Sequence, residues 1–182
     1  MHTQTRNLVL AALFAALTAI GAFLRFPLGS MAVTLQFLFT ALAGVLLGPR
    51  WGAISQLAYV VLGLVGLPVF TMGGGPGYVL QPSFGFLLGL IPAAWVVGVL
   101  AGREGKFRQV FGACAASLGV LYLVGLPYMY LIMNFYLGKA LPFSAVVWTG
   151  MAVYLPGDLI KLLTVAVSAP PLVRSLGRYR PR

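Results

Sequence analysis

Only two acidic side chains, Glu104 and Asp158, occur in 182 residues, against 12 lysines and arginines. Charged residues amount to 8% of the chain and hydrophobic ones to 60%. A water-soluble domain carries about a quarter charged residues, because its surface has to be solvated by water. So sparse a set of charges cannot cover a chain of this length, and the solvent of most of its surface must be lipid. A spanning helix takes roughly 20 apolar residues, which leaves room for about five to seven spans once connections are counted. They are expected to form a single membrane domain over residues 1–182.

The net charge of +10 does not point to nucleic acid. The basic residues sit between apolar runs, as topology signals do, rather than on one wet face. Cys114 is the single cysteine, so an internal disulfide is excluded and a buried small hydrophobe is the expected role. The lone His2 builds no metal site, and no cofactor is expected. The first apolar run has no convincing cleavage site after it and reads as a permanent helix, not a removed signal peptide.

The apolar runs place spans at residues 8–24, 33–47, 53–67, 83–101, 110–133 and 156–168, followed by a basic tail at 174–182. The expected fold is all-α, six transmembrane helices in one bundle, with a glycine-rich outer loop between the third and fourth. Gly48, Pro49 and Arg50 end the second span, and Pro68 ends the third. Ser83 is a natural N-cap for the fourth, and Pro156 suits the first turn of the last. Pro170 and Pro171 are expected to close that helix. A short helix is expected within residues 143–155.

Alternating the connections across the membrane sorts the charges. Arg6, Arg50, Arg103, Lys106, Arg108, Arg174, Arg178, Arg180 and Arg182 fall on one side, Arg25 and Lys139 on the other. Lys161 is left inside the last span. Basic residues favour the cytoplasmic side, so both termini are expected there, in a multi-pass protein of the cell membrane. Tyr128, Tyr130, Tyr136 and Trp148 would lie near the outer interface, where aromatic anchors collect.

Small residues predict close packing. Ala11, Ala12, Ala15, Ala16, Ala19 and Ala22 crowd the first helix, where spacings of three and four let another helix approach. That neighbour is either another helix of this chain or a partner protein. Glycines Gly44, Gly48, Gly52, Gly63, Gly85, Gly89 and Gly98 point to further close crossings.

The chemistry concentrates in two places. Asp158 and Lys161 are three residues apart and share one face of the last helix. Ionisable groups in a membrane segment are costly, so they pair or line a cavity. The pair reads as ligand-facing, with a purely structural ion pair as the alternative; Glu104 lies in the basic loop and is expected to be solvated. The second place is the stretch of Gly73, Gly74, Gly75 and Gly77, whose backbone can approach a ligand closely. Tyr78, Gln81 and Ser83 add hydrogen-bonding groups to the same edge, and Gln36 joins from the second span. An ordinary turn is the alternative there. Enzyme chemistry fares poorly, with no carboxylate pair, no histidine in the membrane region and no nucleotide-binding motif. Binding and moving a small molecule remains.

Several motifs carry a resemblance. Gly66-Leu67-Pro68-Val69-Phe70, the glycine-rich loop through Pro82, Leu35-Gln36, and Leu155-Pro156-Gly157-Asp158-Leu159-Ile160-Lys161 resemble BioY proteins. These are the biotin-binding S components of energy-coupling factor (ECF) vitamin transporters. The likeness runs over essentially the whole chain, and the PGDLIK segment is its most specific part. Gln81-Pro82-Ser83-Phe84-Gly85 departs from the Gly-Pro-Thr-Gly-Gly-like run common in the family. The resemblance implies six helices, an outward-facing biotin pocket that includes Asp158 and Lys161, and cytoplasmic termini. It also implies a transmembrane coupling subunit and two cytoplasmic ATPases as partners, with the alanines Ala11, Ala12, Ala15, Ala16 and Ala19 as the docking surface. Biotin suits the residues: an aspartate accepts its ureido N–H groups, and a lysine meets its carboxylate or its ureido oxygen. An S component for another vitamin, and a structural or regulatory membrane protein, are the alternatives.

Overall fold

The computed structural model describes residues 3–28, 31–102 and 104–176. Helix α1 (Thr3–Phe23) leads into an antiparallel hairpin of β1 (Arg25–Leu28) and β2 (Met31–Thr34). Helix α2 (Gln36–Leu64) is followed by an irregular loop with a 3-10 turn at Pro76–Leu80, then α3 (Phe84–Leu100) and α4 (Phe107–Leu131). A widened π-type turn at Ile132–Tyr136 extends α4. The short α5 (Phe143–Val147) continues into a second such turn at Trp148–Ala152, and α6 (Leu155–Leu176) ends the described chain.

Helix α2 is two helical arms. Gly48 breaks it with φ 80° and ψ 179°, a conformation open to glycine because it lacks a Cβ. Pro49 then begins the second arm, where its missing N–H costs nothing. The arms fold back on each other, since Gln36 reaches Tyr59 and Thr40 reaches Gln56 by hydrogen bonds. Gly44 and Gly52 meet in this turn: a Cβ on Gly52 would lie 2.9 Å from the Cα of Gly44. With α1, α3, α4 and α6, the two arms make the six-helix bundle expected of the sequence. A Cβ on Gly48 would meet nothing, so its glycine character serves the turn; the close approach at this point is from Gly98 of the following helix, where a Cβ would come within 2.6 Å of the Gly48 carbonyl carbon.

The bundle has two distinguishable ends. At the first lie the Gly48–Pro49 turn, the end of α3 through Gly98, which packs on Pro49, and Gly105 against Val173 of α6. Ala11 and Phe14 of α1 join Ala43 and Leu47 near this end. Arg6, Arg50, Lys106, Arg108 and Arg174 therefore gather there; Arg103 and the arginines beyond residue 176 lie outside the described residues. At the opposite end lie the hairpin, the glycine-rich loop and the start of α6. The bundle's outer faces are apolar: Leu123 is 74% exposed and Ile160 66%. Among the described residues, stretches in α1, in α4 with its π-type turn and in α6 are long and apolar enough to cross a membrane, and α2 reaches that length with its two arms taken together.

Four details depart from expectation. Residues 33 and 34, expected to start the second span, belong instead to β2, since β-branched Val33 and Thr34 suit an extended ladder. Helix α6 runs on through Pro170 and Pro171. Ser83 stands before α3, but its side chain makes no capping bond. Tyr128 is partly buried and donates to the carbonyl of Val79, which ties α4 to the 3-10 turn; Trp148 is largely exposed, as an anchor would be.

The alanines of α1 divide between two faces. Ala11 and Ala15 are only 3% and 4% exposed, and Ala22 is fully buried. Ala12 and Ala16 point outward, and Ala19 is half-buried against the core. Docking of a partner through Ala11 and Ala15 is thereby corrected: they already pack within the bundle, and the outward face keeps Ala12 and Ala16.

Candidate functional site

The first turn of α6 sets the site. Gly157 has no side chain, and a Cβ there would come within 3.1 Å of Val33, so α6 sits directly against β2. This closeness lets the ammonium of Lys161 donate to the carbonyl of Thr34 at 3.2 Å. Lys161 also forms an ion pair with Asp158 Oδ1, one helical turn earlier. The other carboxylate oxygen, Oδ2, accepts a hydrogen bond from the hydroxyl of Tyr122 on α4. Asp158 is 5% exposed and Lys161 7%, so both charges are withdrawn from solvent and held by mutual pairing and neutral donors and acceptors. Burial on such terms is tolerable only while every partner stays in place.

These groups face a cavity of about 600 Å³, a size that suits a small organic ligand. Phe37, Phe86, Leu87, Leu90 and Leu121 supply apolar wall, while Thr34, Gln36, Thr71, Tyr78, Ser83 and Tyr154 supply polar groups. Gln36 is fixed on both sides: its Oε1 accepts from Thr34 Oγ1 at 2.8 Å, and its Nε2 donates to Tyr59 at 2.8 Å. Tyr59 in turn donates to the carbonyl of Val69 at 3.1 Å, which anchors the start of the glycine-rich loop. The wall mixes apolar surface with a few directional polar groups, the Asp158–Lys161 pair and the guanidinium of Arg25. That suits a small ligand with hydrogen-bonding groups on an apolar body.

Of the residues singled out in the sequence, Gln36, Tyr78, Ser83, Asp158 and Lys161 line this cavity. Gly73, Gly74, Gly75, Gly77 and Gln81 are not among its lining residues. Gly74 and Gly75 dock the loop instead. Gly75 donates its N–H to the carbonyl of Gly63 at 2.7 Å, and a Cβ on Gly74 would lie 2.1 Å from the carbonyl oxygen of Leu67. Phe70 fills the space over Gly63 and packs on Tyr59 and Tyr78. The loop's contribution to the cavity is thus the side chains of Thr71, Met72 and Tyr78. Phe84, within the departing Gln81–Gly85 run, is buried between Tyr78 and Tyr128.

Arg25, Thr34, Thr71, Tyr122 and Tyr154 also line the cavity and were not anticipated. Arg25 carried a signal, as a cation on the sparsely charged side of the chain. Tyr122 carried none, because nothing local distinguishes it from other aromatic residues of an apolar helix.

Comparison with known proteins agrees with this arrangement. A probable biotin transporter BioY of Lysinibacillus sphaericus is 44% identical over 173 residues, covering 94% of this chain and 88% of that protein. The biotin transporter BioY of Thermotoga maritima is 34% identical, covering 90% of this chain and 94% of its own. A crystal structure of the S-component for biotin from an ECF-type ABC transporter superposes with a TM-score of 0.70 at 26% identity. It covers 96% of this chain and 94% of that one. Residues 1–178 match the sequence profile of the BioY family. On these matches the chain belongs to the BioY family.

Proposed function

We propose that this protein captures biotin in the cavity beside Asp158 and Lys161 and carries it across the membrane as the substrate-binding subunit of a transporter. The observation that carries the reading is the buried Asp158–Lys161 pair facing a cavity of ligand size, in a chain whose relatives are named biotin transporters. The carboxylate offers lone pairs to ureido N–H groups, and the ammonium keeps one donor for a carbonyl oxygen. Thr34, Gln36, Tyr78, Ser83 and Tyr122 complete the polar contacts, and the aliphatic and aromatic wall takes the thioether ring and chain.

The gathering of Arg6, Arg50, Lys106, Arg108 and Arg174 at one end supports a cytoplasmic location for that end and for both termini. The cavity then opens to the outside. Energy is supplied by partners, a transmembrane coupling subunit and two cytoplasmic ATPases, and the outward Ala12–Ala16 face of α1 is the surface on which the coupling subunit docks. The whole chain acts as one membrane domain.

Titration of the purified protein with biotin tests the central point. The parent should bind saturably. The double variant Asp158→Asn/Lys161→Met removes both charges together, so no charge is stranded and the fold is kept; its biotin affinity should fall by about 10- to 100-fold or more. A stable double variant that binds as the parent does would reduce the pair to scaffolding.

A further inference from the structure

We propose that Arg25 holds the carboxylate of the ligand at the rim of the cavity, so that the neutral ureido end lies at the Asp158–Lys161 pair. The inference rests on the biotin reading above and adds the direction in which the ligand lies.

The hairpin places Arg25 opposite Thr34 in the ladder, and directly paired residues put their side chains on the same face. Thr34 lines the cavity, and its carbonyl accepts from Lys161. Arg25 lines the same cavity and is exposed, so it stands at the opening while Lys161 lies buried within.

Counting charge then separates the two cations. The chain has two acids in all. Glu104 pairs with Lys106 at 2.7 Å on the exposed loop at the far end, and Asp158 pairs with Lys161. No acid remains for Arg25. The cavity lining therefore carries Arg25, Lys161 and Asp158, a formal sum of +1, which matches a ligand with one negative charge.

Donor capacity points the same way. A guanidinium has five N–H donors in a planar fork that fits a carboxylate through two parallel bonds. Among the described residues Arg25 makes one hydrogen bond, from Nη1 to the carbonyl of Thr71 at 3.0 Å. Lys161 has three donors and spends two, on Asp158 and Thr34. Desolvation decides what remains. A third full charge brought into the buried pair would lose its hydration, whereas at an exposed arginine it keeps part of it. A ureido group is neutral and suits the interior. Because Arg25 also bridges the hairpin to the loop at Thr71, the carboxylate would seat where those two segments meet.

The test is calorimetric titration of the full chain with biotin and with biotin amide, in which a neutral carboxamide replaces the carboxylate. The parent should prefer biotin by about 10- to 100-fold. In Arg25→Gln that preference should shrink to within about two-fold, and Arg25→Lys should keep part of it by retaining the charge. An undiminished preference in Arg25→Gln would place the carboxylate elsewhere and overturn the inference alone. An equal loss of both ligands would do the same, by showing that Arg25 only ties hairpin to loop. A parent that binds both ligands equally would overturn charge recognition at the rim, and a parent that binds neither would overturn the biotin reading itself.

Discussion

Thr18, Thr40, Ser55 and Gln56 form one polar cluster inside the bundle; Thr34, Gln36, Tyr122, Asp158 and Lys161 form another. The first is fully buried at all four residues. It is also closed on itself. Gln56 donates to Thr18 at 3.2 Å and to Ser55 at 3.0 Å, and accepts from Thr40 at 2.9 Å. Thr18 and Ser55 pass their own protons to the carbonyls of Phe14 and Gly52. Nothing in it is charged, and none of its side chains lines the cavity. The second cluster contains both ions and opens on the cavity with lone pairs and a donor to spare. The contrast separates two uses of polarity in an apolar bundle: neutral groups that satisfy one another join helices, whereas a charged pair with lone pairs and a donor to spare faces a cavity.

The largest expected effect comes from breaking the charged cluster on one side only. Lys161→Met strands the Asp158 carboxylate in a buried site, at a cost of about 3–5 kcal/mol in stability. Thermal unfolding in detergent should show a large drop, with most of it recovered when Asp158→Asn is added. A loss under about 1 kcal/mol would mean that the pair behaves as a solvated one, and the contrast between the clusters would fail.

Gln56→Leu is the matching change in the closed cluster and should cost far less. Thr18, Thr40 and Ser55 keep backbone acceptors at Phe14, Gln36 and Gly52, so no hydroxyl proton is stranded. Interhelical hydrogen bonds in membranes are worth about 0.6 kcal/mol on average, and up to about 1.7. A stability loss of about 1–2 kcal/mol with biotin affinity unchanged is expected. A ten-fold fall in affinity would sharpen the picture differently, by showing that Gln56 is coupled to the site through Thr40 and Gln36.

The two clusters also differ in how much of them could be read in advance. Asp158 and Lys161 stand out because they are an acid and a base one helical turn apart in an apolar stretch. Gly157 and Pro156 before them carry their own explanations, close approach to Val33 and a first-turn position. Arg25 reaches Thr71 across 46 residues, and Tyr122 reaches Asp158 across 36; such meetings depend on the assembled bundle. The glycines at 73–77 signalled irregular backbone, but the same signal serves a loop that docks on α2 and one that cradles a ligand. The six helical runs were readable from length and hydropathy, while the hairpin was not. Its strands are four residues each, too short for alternation to stand out.

The alanines of α1 show the limit most clearly, and they carry the last prediction. In water an inward face is apolar and an outward one polar, so periodicity tells them apart. In lipid both faces are apolar, and small residues mark close packing without saying which side is inside. The structure separates Ala15, buried beside Phe14, from Ala16, exposed one position later. Ala16→Trp adds bulk where nothing in the bundle is met, so stability should change by no more than about 0.5 kcal/mol. Biotin binding by the isolated protein should be unaffected. In cells that also make the proposed coupling subunit and ATPases, however, uptake should fall by about ten-fold, because a tryptophan keeps a docking helix from close approach. Ala15→Trp, by contrast, overpacks the interior and should lower stability before any effect on uptake is measured. Unchanged uptake in Ala16→Trp would move the docking surface to another helix. Lost biotin binding would show that this face, too, belongs to the inside of the bundle.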